Sequence, residues 1–139
     1  MMLDGILIAT VRQSIEEARD YADSCMGMAK GGIAVEIIEF DEEGEREFTC
    51  LFARPIGEAK RDRRYCSFLE KEVSDAHARL LGDEEPLNVG WEGSTIVYEY
   101  RNLSYENNKG CFSVLIGVLG GSEGQNRRLA ESIADDISE

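Results

Sequence analysis

Apolar residues recur at helical spacing in three stretches of this chain and at strand spacing in several others. Leu3, Leu7, Val11, Ser14, Ala18, Ala22, Cys25 and Ala29 follow one another by three or four residues, which places them on one side of a helix. The pattern predicts an amphipathic helix over Leu3–Ala29, with Asp4 capping its first turn and Gly31-Gly32 ending it. Ile33–Phe40 is apolar and β-branched, and in Glu45–Ala53 Phe48, Cys50 and Phe52 share a face. The intervening Asp41-Glu42-Glu43-Gly44 predicts a hairpin turn, with Gly44 free to adopt positive φ. Pro55 and Gly57 predict a break, after which Cys66, Leu69, Val73, Ala76 and Leu80 mark a second helix over Glu58–Leu81.

Gly82–Gly93 reads as a loop carrying Trp91, the only tryptophan. Thr95–Arg101 alternates, with Ile96, Tyr98 and Tyr100 on one face, which predicts a half-exposed antiparallel strand. Cys111–Leu119 is apolar on both faces: Phe112, Val114, Ile116 and Val118 on one, Cys111, Leu115 and Leu119 on the other. Such a strand belongs in the middle of a sheet covered on both sides, or covered on one side and packed in an oligomer on the other. Gly120-Gly121 then turns the chain, Ser122 and Gln125 fit a capping box, and Leu129, Ala130, Ile133, Ala134 and Ile137 give a third helix its buried side. The predicted class is α+β in the order α-β-β-α-β-β-α, with a mostly antiparallel sheet of about five strands, profilin-like, in a single domain over residues 1–139.

Composition narrows the function classes. A chain of 139 residues with 42% hydrophobic and 31% charged residues can bury a core without disulfides or metal. Its net charge of −13 argues against binding nucleic acid or an anionic membrane surface. No apolar run is long enough to span a bilayer, and no basic segment precedes an apolar one as in a signal peptide, so the expected location is cytoplasmic. Cys25, Cys50, Cys66 and Cys111 lack the close pairing of a zinc site and are expected to be buried free thiols.

Three features bear on chemistry. The strand, Gly120-Gly121 and the following helix start imitate a phosphate cradle, in which Ser122 and the amides of Gly121 to Gly124 would be donors. The glycines lack the Lys-Ser or Lys-Thr of a Walker loop and the G-x-G-x-x-G spacing, so the alternative is a structural hinge. Arg54, Lys60, Arg61, Arg63 and Arg64, set against Glu58 and Asp62, form a locally basic run that could hold a phosphate or carboxylate, or face solvent. His77 is the only histidine; it reads as a partly buried structural residue beside the apolar stripe or as an axial haem ligand, with no motif of a nucleophile or metal site beside it. The candidate binding residues are thus Gly120, Gly121, Ser122, Arg61, Arg64 and His77, with no catalytic or metal-ligating candidate.

Ile116-Gly117-Val118-Leu119-Gly120-Gly121-Ser122-Glu123-Gly124-Gln125-Asn126, followed by Ala130, resembles the I-G-V-S-G-G-T-P-E-Q-D signature of the haem-binding-like family associated with glycolate and propanediol utilisation. The turn Asp41–Gly44 and the opening helix are similar to that family in place. Glu123, Gly124 and Asn126 depart from it, standing where the family has proline, glutamate and aspartate. The resemblance implies binding of haem or a corrinoid and assembly as a homo-oligomer. The reading is a non-enzymatic domain for a tetrapyrrole or small anionic metabolite. The alternative is a protein–protein interaction module of roadblock or longin type without a small-molecule ligand.

Overall fold

The computed structural model describes residues 5–28, 30–40, 46–57, 64–81, 94–101 and 111–138. Within them the order is α1 (Gly5–Ser24), β1 (Lys30–Phe40), β2 (Arg46–Gly57), α2 (Arg64–Leu81), β3 (Ser94–Arg101), β4 (Cys111–Leu119) and α3 (Glu123–Ser138). The α+β class fits, but the expected sheet of about five strands does not: the described residues form a four-stranded sheet in the order β2-β1-β4-β3. Every neighbouring pair in it is antiparallel.

Both interior strands, β1 and β4, bury side chains on their two faces because helices cover both. Ile33, Val35 and Ile37 of β1, Phe52 and Ile56 of β2, and Val114, Ile116 and Val118 of β4 meet α1 and α3 in the larger core. On the opposite face Ala34, Ala53 and Leu115 meet Cys66, Leu69, Val73 and Ala76 of α2. The small residues on that face let α2 approach the sheet closely, and each fully buried Leu or Val contributes about 1.5–3 kcal/mol. Across the larger core, Ser14 of α1 donates a hydrogen bond to Asp136 of α3 at 2.6 Å and ties the two helices together.

Two boundaries differ from expectation for identifiable reasons. Helix α1 stops at Ser24, not at Ala29. Gly27, at φ 63°, provides the left-handed residue, and the Met28 amide closes back on the Ala22 carbonyl at 3.0 Å. That bond closes the loop from Ala22 to Met28 on the helix end, with Met28 buried as its apolar clasp. Gly31 and Gly32 instead belong to β1. The early stop also leaves Cys25 exposed, Cys50 is half-buried, and of the three only Cys66 matches the expectation of a buried thiol.

Strand β2 runs through Pro55 to Gly57 where a break is expected. Arg19 Nε donates to the Pro55 carbonyl at 2.8 Å, and Arg54 donates to the Ala53 carbonyl at 2.8 Å. The backbone groups of residues 53 and 55 therefore point away from β1. Pro55 lacks a donor only on the side where β1 needs none, and the strand passes through it. The 41–44 turn, the start of the second helix over 58–63, Asp4 and the 82–93 loop with Trp91 lie outside the described residues.

Candidate functional site

One end of the sheet gathers most of the candidate residues. Lys30 pairs with Gly57, Gly32 with Leu119, and Ser94 with Leu119, so β1 and β3 begin where β2 and β4 end. Helix α2 follows β2 and α3 follows β4, so both helices start there. Arg64, Tyr65 and Phe68 of α2 and Leu119 of β4 line a groove of about 390 Å³ at this end. Phe68 is 48% exposed, unusual for so large an apolar side chain, while Tyr65 is half-buried.

The glycine turn beside the groove is built for packing. A Cβ on Gly31 would lie 2.1 Å from the Leu119 carbonyl oxygen, and one on Gly120 would lie 2.2 Å from the Lys30 carbonyl oxygen. Gly120 also takes φ 128°, a backbone region that L side chains rarely adopt. The start of β1 and the end of β4 thus cross backbone to backbone.

Two of the turn's amides, those of Gly121 and Ser122, are engaged within it. Asn126, fully buried, accepts from the Gly121 amide at 2.9 Å and donates to the Gly121 carbonyl at 3.3 Å. The Ser122 amide donates to Gln125 Oε1 at 3.0 Å, and the Gln125 amide donates to Ser122 Oγ at 3.2 Å, a reciprocal capping box. Gln125 in turn donates to the Met26 carbonyl at 3.4 Å, fastening α3 to the segment after α1. Gly121 and Ser122 spend their amides inside the turn, which favours the hinge reading over the phosphate cradle.

His77 lies elsewhere. Its ring is fully buried between α2 and the sheet, with Nε2 at 2.8 Å from Ser113 Oγ and Nδ1 at 3.4 Å from Glu36 Oε1. Ser74 Oγ donates to Glu36 Oε2 at 2.5 Å, which completes a chain of polar groups through an otherwise apolar layer. From Ser113 to Leu119 the strand rise carries the chain about 20 Å, so His77 is remote from the groove. Serine, histidine and carboxylate stand here in the order of an acyl-transfer triad, an arrangement the sequence does not disclose because Glu36, His77 and Ser113 are far apart in it. Their function differs from a triad's. Ser113 is 0% exposed in mid-strand beneath a helix, where no acyl group could reach Oγ. The network satisfies a buried carboxylate and fixes how α2 sits on the sheet.

The same burial decides the fit of haem. The chain's single histidine has both ring nitrogens facing protein groups in the core, so it does not fit the role of axial ligand. Of the candidate residues, the structure brings Arg64, Gly120, Gly121 and Ser122 to one end of the molecule and separates His77 from them; Arg61 lies outside the described residues. Tyr65, Phe68 and Leu119 join Arg64 in the groove, and sequence reasoning passed over them. Phe68 sits just off the apolar stripe of α2, which is the signal that could have found it. Among the described residues no cluster of His, Cys, Asp and Glu could hold a metal ion, and no helix is long and apolar enough to cross a membrane.

Comparison with family models, with curated proteins and with solved structures yields no match to this chain.

Proposed function

We propose that this protein is a non-enzymatic, self-associating cytoplasmic domain that binds a small planar anion in the groove of Arg64, Tyr65, Phe68 and Leu119. The observation that carries the reading is the groove itself, where a guanidinium stands one helical turn from a half-exposed aromatic ring. A guanidinium supplies paired donors to a carboxylate or phosphate, and an aromatic face supplies stacking area for a flat ring. The start of α2 adds the positive end of a helix dipole nearby. The likeness of Ile116–Asn126 to the haem-binding-like signature makes haem and cobalamin natural probes, with no histidine ligand to either metal.

Titration of the purified protein with haem, cobalamin and a simple aromatic carboxylate, followed by absorbance and by amide NMR shifts, tests the reading. Saturable binding of one of them, weakened roughly tenfold by Arg64→Ala or Phe68→Ala, is the expected result. Absence of binding for all three, or binding indifferent to both substitutions, removes it. Sedimentation at micromolar concentration checks self-association separately.

An interaction module of roadblock or longin type is the second reading. Phe68 and Leu51, both exposed, favour it, since each sits on the α2 side of the sheet. Co-purification of a protein partner that Phe68→Ala releases, without small-molecule binding, would select it.

A further inference from the structure

Among the described residues strand β2 forms one edge of the sheet, and its outer side is only partly closed. Beyond residue 53, Pro55 offers no donor, Arg19 occupies the Pro55 carbonyl and Arg54 occupies the Ala53 carbonyl. Prolines and long basic side chains are devices that stop strand addition. They stop at Ala53. By the alternation of the ladder, the amides of Thr49, Leu51 and Ala53 and the carbonyls of Thr49 and Leu51 also face outward. Thr49 and Leu51 are exposed, and their outward backbone groups have no partner among the described residues.

The two faces beside this open segment differ in chemistry. On the helix α1 side, Arg12, Ile15, Glu16, Phe52 and Arg54 line a depression of about 280 Å³. The Arg12 guanidinium lies 5.2 Å from the centre of the Phe52 ring, and Glu16 is engaged by Arg19 at 2.8 Å. Arg12 and Arg54, both exposed, leave the depression positive in a protein of net charge −13. On the α2 side, Leu51 is 36% exposed.

We propose that the β2 edge from Thr49 to Ala53 receives an extended acidic peptide of a partner protein by strand addition, its carboxylates facing Arg12 and Arg54 and its alternate apolar residues facing Leu51. Backbone pairing supplies affinity in this mode, and the pockets on the two faces select alternate side chains. A second copy of the chain fits less well, because pairing β2 with its twin joins two strongly negative molecules and leaves both arginine pairs without acids.

The experiment uses the full chain and a fluorescein-labelled nonapeptide of alternating glutamate and valine, read by anisotropy at about 0.15 M salt, where long-range repulsion is screened beyond ~8 Å. Expected are saturable binding, a loss of roughly tenfold with Arg12→Glu or Arg54→Glu, and no binding of the peptide with lysine in place of glutamate. N-methylation of alternate peptide amides, which blocks strand pairing while keeping the side chains, should abolish binding. So should Leu51→Pro, which removes an outward donor as Pro55 does; if that variant fails to fold, the N-methylated peptide reads the same contact on the native chain. Equal binding of the lysine or N-methylated peptide overturns the proposal, as does no saturable signal up to ~1 mM. A dimer in sedimentation that Leu51→Pro dissolves, without peptide binding, also overturns it and assigns the edge to a second copy.

Discussion

At the scale of residues, the turn after β4 contains glycines with opposite roles. Gly120→Ala and Gly31→Ala would each drive a methyl group into a carbonyl oxygen, the first at an unfavourable φ as well. Each is expected to cost about 3 kcal/mol or more in denaturant unfolding. Gly124 lies in the first turn of α3 with nothing within 4 Å of an added Cβ, so Gly124→Ala should stabilise by about 0.5–1 kcal/mol. Asn126→Ala leaves the part-buried Gly121 amide and carbonyl without their partner and should cost about 1–2 kcal/mol, measured the same way. A second residue-scale expectation concerns Ser113. Its triad-like neighbours predict labelling by a fluorophosphonate if chemistry is possible; its burial says otherwise, and intact-mass analysis of the native protein should show no adduct. Ser113→Ala should instead lower stability by about 1–2 kcal/mol, since His77 Nε2 loses its partner inside the core.

At the scale of elements, the sequence was most legible where periodicity ran uninterrupted. The two-sided apolar pattern of Cys111–Leu119 places it inside the sheet, and the capping box at Ser122 and Gln125 marks the start of α3. Boundaries set by backbone geometry were less legible. Gly27 and Gly31 look alike in a sequence, yet one takes positive φ and the other is needed for close approach of two strands. Pro55 reads as a break because no local pattern shows which side of the strand its missing donor faces. The Glu36–Ser74–His77–Ser113 network was hidden for another reason: it depends on α2 crossing β1 and β4, which is tertiary. Reactivity of the thiols checks these element boundaries. Site-resolved iodoacetamide labelling at neutral pH should modify Cys25 first, beyond the end of α1, and Cys66 only on unfolding. Cys50 should lag behind Cys25, because burial raises its thiol pKa and the Arg12 guanidinium only partly offsets that effect.

At the scale of the whole molecule, the charge of −13 works against compactness, relieved in the sequence by the locally basic run from Arg54 to Arg64. Glu72 is a local instance of the general repulsion. Burial first, and the neighbouring Asp75 carboxylate second, push its pKa above the ordinary carboxylate range, with Lys71 opposing. The folded protein therefore holds this proton more tightly than the unfolded chain. Stability from the group is full below the unfolded pKa and is lost as pH rises through the folded one. Glu72→Gln should accordingly be more stable than the parent at neutral pH, with the difference shrinking as pH falls through the Glu72 titration. If the two melting curves stay parallel across that range, Glu72 is not the cause. Added salt separates the local effect from the global one. Screening of scattered surface repulsion should raise the melting temperature of the parent by roughly 3–6 °C between low and moderate ionic strength, equivalent to about 1 kcal/mol. The variant should show nearly the same rise, because one carboxylate among 28 acidic residues is a small share of the repulsion. A rise confined to the parent would place the repulsion at the Glu72–Asp75 pair, and a fall in both would mean that attractive pairs between basic and acidic side chains outweigh the net charge.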